Sequence, residues 1–235
     1  MWTLDTFSIE YNWKNALAKN PDAFKSILAL FDEGVQTAIV LEACDKGTEY
    51  LSNNAPENVT VFRSYSDYRF FIRRKHGFEL LILVSPRNYP EQEVPTLQFY
   101  PRSLHLGVGC QRQASTNIAK HLLGKLTAEG YCLDSLATIG TIEEKKDEPL
   151  MAELHKLCPR AKMCVHPAKE LAKVNIPNPS EKVFETSGCY GIAESAALIE
   201  NANSKIVIEN KKCKIEVGGK IQHYTYALAQ EYMKH

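Results

Sequence analysis

The chain of 235 residues carries 28 Lys plus Arg against 28 Asp plus Glu, so its formal charge is zero. That balance argues against nucleic acid or an anionic membrane as partner, since both favour a basic excess. No apolar run approaches the roughly 20 residues that span a bilayer, and Met1–Asp5 has neither a basic start nor an apolar signal core.

Seven cysteines with no CxxC pair fit reduced thiols in a cytoplasm better than a disulfide framework. Asn20-Pro21 reads as a helix cap followed by proline at the first helical position. Phe24, Ile27, Leu28 and Phe31 then mark one helical face, which Gly34 closes. Strands are expected at 37–41, 59–62 and 80–84, the last apolar throughout, as for a strand covered on both faces. From Pro86 to Pro101 the chain carries four prolines and little periodicity. A domain boundary is placed at its end, giving domains 1–103 and 104–235.

The second half repeats the alternation. A strand at 104–108 leads to a helix capped by Ser115, with Ile118, Leu122 and Leu126 on its core face and Gly130 at its end. A strand at 136–142 precedes a helix at 147–157, and a strand at 163–165 precedes a short helix ending near Lys173. Helices at 179–186 and 192–199 are followed by strands at 205–208, 214–217 and 221–228. The pattern predicts an α/β protein of two domains, each a small, mostly parallel or mixed sheet flanked by helices in three layers.

The stretch GVGCQRQAS, 107–115, reads as a strand running into a glycine-hinged turn that opens a helix. A dinucleotide fingerprint would need a third glycine where Arg112 stands, and no GxxxxGK[ST] exists for a P-loop. What remains is a turn whose free N–H groups and helix dipole favour an anion, with Arg112 able to fork onto a carboxylate. The plain alternative is a strand-to-helix turn with a solvated arginine. IEEKKDEP, 142–149, sets Glu143, Lys145 and Asp147 near the same sheet edge, where open α/β sheets bind ligands. The alternative there is a solvated charge cluster. NPSEKVFETSGCYGIAESAAL, 178–198, adds a helix start near Ser180, then Gly188 and Gly191 before a helix with a small-residue face. Glu194 is polar in that apolar segment, so it either meets solvent or orients a site. A metal site finds little support, because Cys158 and Cys164 are separated by five intervening residues and Cys110, His105 and His121 lack zinc-type spacing.

GVGCQRQAS, TIEEKKDEP, NPSEKVF and GCYGIAESAAL, in this order and spacing, resemble the C-terminal domain of the CbiG family and the related single-domain CobE proteins of cobalamin biosynthesis. The resemblance covers about 104–218, and residues 1–103 resemble the family's central domain through LDTFSIEYNWK and FYPRSLHLGVGC. No GHLGGAN-like stretch of the family's N-terminal domain exists here, so the chain looks like a two-domain version or a fragment. The family's GCRRG is here GCQRQ, with Gln113 in place of a glycine. Its IDLKxDE keeps Lys145, Asp147 and Glu148 but carries Glu143 and Glu144 at the changed positions.

The resemblance implies cobalt-precorrin-5A hydrolase activity, in which water opens the ring-A δ-lactone and the carbon between rings A and D leaves as acetaldehyde. The substrate's many carboxylates would meet the N–H groups at 109–115 and 188–192. Gly107, Gly109, Cys110, Arg112, Ser115, Lys145, Asn178, Ser180, Glu181, Gly188, Gly191 and Glu194 are the substrate-binding candidates, and Glu143 and Asp147 the candidate bases. Cys110 at a helix start is either a lowered-pKa nucleophile or a small structural thiol. The implied partners are the cobalt-containing tetrapyrrole and other enzymes of the pathway. No cofactor is needed, since the substrate carries the cobalt. The competing reading is a non-enzymatic carrier of a corrinoid intermediate, as the CobE-like proteins suggest.

Overall fold

The computed structural model describes residues 17–18, 24–43, 55–74 and 77–231, so the Asn20-Pro21 cap and the LDTFSIEYNWK stretch lie outside the described residues. Contacts divide the chain after Arg102, and the second unit runs Ser103–Glu231.

The first unit contains β1 (Leu17–Ala18), α1 (Phe24–Asp32), β2 (Thr37–Leu41), β3 (Val59–Phe62), α2 (Tyr65–Ile72), β4 (Leu80–Val84) and β5 (Thr96–Tyr100). Its sheet has the order β1-β5-β4-β2-β3, parallel except for β1. The two-residue period of the strands sorts their side chains between two helices. Ile39, Leu41, Ile82 and Val84 share a core with Ile27 and Phe31 of α1. Ala38, Val40, Leu81 and Leu83 share another with Phe62 and Tyr68 on the α2 side. Every residue of β4 is buried, as its unbroken apolar run predicts.

Two elements here add to the sequence reading. Ser64 caps α2 by accepting from the Asp67 N–H at 3.0 Å, and its hydroxyl donates to the Asp67 carboxylate at 2.7 Å. That Ser-x-x-Asp reciprocity is a legible start signal. β5 lies inside the proline-rich stretch, between Pro95 and Pro101, where the prolines mask a five-residue strand.

The second unit contains β6 (Leu104–Cys110), α3 (Asn117–Ala128), β7 (Leu136–Ile142), α4 (Pro149–Leu157), β8 (Lys162–His166), α5 (Ala168–Leu171), α6 (Glu181–Ser187), α7 (Ile192–Leu198), β9 (Ser204–Val217) and β10 (Lys220–Glu231). The sheet order is β8-β7-β6-β10-β9, with the first three strands parallel and β10 antiparallel to both neighbours. One face packs Leu106, Val108 and Tyr226 against Ile118, Leu122, Leu126, Leu150 and Leu154 of α3 and α4. The other face carries α7, whose Ala193 and Ala197 meet Ala227 and Ala229 of β10. Both units are therefore mixed α/β sheets between helix layers.

Three local expectations change. Residues 205–208 and 214–217 belong to the single strand β9. Between the pairs Tyr226–Lys211 and Leu228–Ile208 the register shifts, so Glu209 and Asn210 stand opposite Ala227 alone. That is a β-bulge, which leaves backbone groups free of the ladder. The helix placed from Asp147 begins at Pro149, with Glu148 at its cap. Gly107 and Gly109 lie within β6 rather than in a turn.

The glycines serve packing. Gly107 pairs with Gly140 of β7 on one side and Ala227 of β10 on the other. A Cβ on Gly107 would sit 1.8 Å from the Ala193 carbonyl oxygen, and one on Gly140 would sit 2.8 Å from that of Ala196. The row Gly140, Gly107, Ala227 is the floor on which the backbone of α7 rests.

Gly107→Ala is expected to unfold the second unit or to cost at least the ~3 kcal/mol upper range of overpacking, because the obstacle is backbone. Gly124→Ala, on the exposed side of α3 with nothing within 4 Å of the added methyl, is expected to add about 0.5–1 kcal/mol through helix propensity. Urea midpoints of the two variants check both signs.

Candidate functional site

β6 ends at Cys110, and the chain turns through 111–116 into α3. Gln113 has φ of 55°, the one positive φ outside glycine among the described residues. It thus holds a left-handed conformation that costs a side-chain-bearing residue about 1–2 kcal/mol. The N–H groups that follow are already engaged. Ala114 N–H donates to the Glu148 carboxylate at 3.1 Å, and Ser115 N–H to the Gln222 side-chain oxygen at 2.7 Å. Lys145 approaches the second Glu148 oxygen at 3.3 Å. Ser115 Oγ accepts from Asn117 N–H at 3.2 Å, but the cap position of α3 is Thr116, which makes no side-chain cap bond, and not Ser115. The anion at this turn is therefore the protein's own Glu148. Arg112 is exposed and lines, with Gln113, Glu144, Asp147, Glu148 and Pro149, a shallow depression of about 300 Å³. Glu143 is exposed on the turn before it and lines no part of that depression.

A larger cleft of about 770 Å³ opens on the α7 side of the same sheet edge. Its floor is the end of β6 (Gly109, Cys110, Gln111) with His223–Thr225 of β10 and Asn210, Lys212 and Cys213 of β9. Its wall is the segment from Asn178 through α6 to Ala193. Five sequence candidates meet here: Gly109, Cys110, Asn178, Ser180 and Gly191. Gly107 lies deeper, under α7. Gly188 closes α6 in the left-handed conformation, φ 74°, and Glu181 is exposed on the first turn of α6.

Glu194 explains how the wall is held. Its carboxylate is 1% exposed and accepts from Asn178 N–H at 3.1 Å, Asn178 Nδ2 at 2.8 Å and Asn210 N–H at 3.0 Å. The bulge in β9 releases the Asn210 N–H for that bond. A buried carboxylate with three donors satisfies its desolvation cost through charge-assisted hydrogen bonds. Glu194 therefore does not meet solvent but ties Asn178 and Asn210 together behind the wall.

Among the described residues the lining contains no aspartate or glutamate, while Lys212 and His223 supply basic groups. Burial pushes the Cys110 thiol up to about 11, and the nearby Lys145 charge offsets only part of that. Burial also raises the Tyr224 phenol, with the Cys213 sulfur contributing. Lys212, His223 and Tyr190 were not among the sequence candidates. The signal was the alternation of Lys212 and Lys214 with Cys213 and Ile215, which puts the lysines on one face of β9. Among the described residues no three His, Cys, Asp or Glu groups converge as a metal site, and no helix is long and apolar enough to cross a membrane.

Glu194→Gln replaces an acceptor-only group by one bearing an N–H₂ facing donors. It is expected to cost about 1.5–3 kcal/mol, the range for a hydrogen bond to a charged group, measured by urea unfolding. The thiols give a pH dependence. Cys110, Cys158 and Cys164 are raised to about 11 by burial, against about 8.5 for a free thiol. Between those values the folded chain holds protons that the unfolded chain releases, so stability falls as pH rises. Denaturation midpoints should decline above about pH 8.5 and flatten beyond about 11, and a Cys110→Ser, Cys158→Ser, Cys164→Ser triple variant should show a shallower slope.

Residues 104–229 match the family model described as cobalamin synthesis G C-terminus, and residues 2–101 match that described as cobalamin biosynthesis central region. The chain is 25% identical over 214 residues to cobalt-precorrin-5A hydrolase of Priestia megaterium, covering 89% of this chain and 55% of that protein. It thus spans about half the length of that relative. It is 31% identical over 111 residues to Protein CobE of a Sinorhizobium species, covering 46% of this chain and 71% of that protein. A crystal structure of CobE, a protein of the cobalamin biosynthetic pathway, aligns with a TM-score of 0.46 and 23% identity over 56% of this chain and 95% of that one. With a model matched over each half, the chain belongs to the cobalamin synthesis G family.

Proposed function

We propose that the cleft of the second unit receives a cobalt-containing tetrapyrrole intermediate of cobalamin synthesis, and that the chain opens the ring-A lactone of cobalt-precorrin-5A with water, releasing acetaldehyde. The observation that carries this reading is the cleft lining. A space of about 770 Å³ with Lys212 and His223 and no carboxylate suits a ligand that is itself rich in carboxylates, since like charges in a partly desolvated wall would repel it. The free hydroxyl of Ser180, which makes no cap bond to α6, adds a donor. The hydrolase relative supports the reaction, and the family membership supports the pathway.

One set of observations favours a second reading, in which the chain holds the intermediate without hydrolysing it. The carboxylates expected to act as bases, Glu143 and Asp147, lie outside the cleft, and the raised Cys110 thiol is a poor nucleophile at neutral pH. Purified chain with cobalt-precorrin-5A, assayed for acetaldehyde, separates the two. Catalytic release supports the hydrolase, and tight binding without release supports the carrier. In either case Lys212→Ala is expected to weaken binding about tenfold, roughly 1.4 kcal/mol, with the difference shrinking at high salt. Arg112→Ala, outside the cleft, is expected to weaken it less. Titration of each variant with the tetrapyrrole, followed by its visible absorption, measures both.

A further inference from the structure

We propose that His223 is the general base of the lactone opening. The inference rests on the cleft of the second unit being the substrate site. The cleft must supply a group that takes a proton from water near neutral pH, and its lining offers few. Lys212 is a cation, the Cys110 thiol and the Tyr224 phenol are held protonated, and no aspartate or glutamate lines the space. The Cys213 sulfur packs toward the α3 core on the opposite face of the sheet. Imidazole is the side chain whose ordinary titration lies near neutrality, and His223 is the histidine lining this cleft.

Three histidines in and against the sheet, His105, His121 and His166, are engaged elsewhere. His105 has both ring nitrogens occupied, by Thr138 at 2.9 Å and Glu231 at 2.8 Å. His121 bonds the Tyr224 hydroxyl at 2.9 Å, and His166 lies 2.7 Å from the Glu200 carboxylate. The His223 ring has no partner among the described residues, yet its backbone is fixed on both sides. Its N–H donates to the Gln111 side chain at 2.9 Å, and its carbonyl accepts from the Gln111 N–H at 3.4 Å. The ring is exposed and carries no structural hydrogen bond, so its nitrogens are open to water at the floor of the cleft. The strand register sets the charges that face it. Lys214 of β9 is its direct partner, Lys212 lies diagonally beside Thr225, and Glu216 stands one same-face position further, opposite Ile221. From β6 the neighbours are uncharged, Gln111 and the protonated Cys110.

In the step assigned, the His223 ring nitrogen takes one proton from water as the water oxygen bonds to the lactone carbonyl carbon. The carbonyl electron pair moves onto its oxygen, where the Lys212 ammonium offsets the charge. Collapse breaks the acyl–oxygen bond, and the imidazolium returns its proton to the departing alkoxide. Water and lactone become a carboxylic acid and an alcohol, and His223 ends neutral.

The test uses the full chain and cobalt-precorrin-5A. His223→Gln is expected to bind the tetrapyrrole within about threefold of wild type while releasing acetaldehyde about 10²–10⁴-fold more slowly. Added imidazole should restore part of the rate to His223→Ala. His155→Gln, on the exposed side of α4, should match wild type. Release by His223→Gln at the wild-type rate, with wild type active, overturns this inference and leaves the hydrolase reading standing. A loss of binding equal to the loss of rate assigns His223 to affinity and overturns it as well. Binding by wild type without any acetaldehyde removes the hydrolase reading and this inference together.

Discussion

The close approach of α7 to the sheet is the constraint on which the second unit depends. Side chains normally hold a helix about 10 Å from a sheet, but Gly140, Gly107 and Ala227 form a floor without bulk, and α7 answers with Ala193, Ala196 and Ala197. The helix is only seven residues long, too short to be stable alone. Its order comes from this contact. The contact in turn sets the height of Glu194, which collects donors from the loop at Asn178 and from the bulge at Asn210. The wall of the cleft is thus fixed through one carboxylate, and that carboxylate through a row of glycines.

A second regularity follows from where the chain spends its acids. Glu148 takes the N–H at the start of α3, and Glu194 takes the donors beneath the cleft wall. In the first unit Glu42, just past β2, accepts from the Tyr65 N–H at 2.8 Å and from the Ser85 hydroxyl at 2.6 Å, with the Tyr89 hydroxyl as a third donor. Each is an anion receptor filled from within. These three sites that attract negative charge are occupied by the protein's own carboxylates, and among the described residues the cleft of the second unit is lined by none. A zero net charge conceals this sorting, because it counts acids without saying which face they occupy.

Much of the architecture was legible in the sequence, for identifiable reasons. The unbroken apolar run of β4 and the spacing of Ile118, Leu122 and Leu126 are periodic signals that tertiary context reinforces. The strand ending in Gly107 and Gly109 was read correctly as a strand and wrongly as a hinge. Glycine in a strand signals close approach of another backbone as readily as a turn, and the element that approaches, α7, is some eighty residues away in sequence. β5 was hidden by the prolines at its ends. Five of the candidate residues, Gly109, Cys110, Asn178, Ser180 and Gly191, line the cleft. Asp147 lies with Gln113 and Arg112 in the separate shallow depression, and Glu143 lines neither space. Strand-end position alone does not tell the two sides of a sheet apart.

The two units differ in how they treat the carboxyl ends of their parallel strands. In the first, β2 lies between β3 and β4, so the chain leaves β2 in one direction and returns on the other side, the arrangement that opens a crevice between strand ends. Glu42 and Ser85 stand just past β2 and β4, and their mutual hydrogen bond ties the two strand ends together. In the second unit α3 carries the chain from the end of β6 to the parallel β7, while the neighbour on the other side, β10, is antiparallel. The beginning of β10 lies beside the end of β6, with His223 and Thr225 turned to the same face as Gly109. The distant segment 178–193 then stands over that edge as a wall, without plugging it. Antiparallel pairing at this one position is what leaves room beside β6, and it is why the basic residues of a β-hairpin, rather than those of a helix-start turn, face the space.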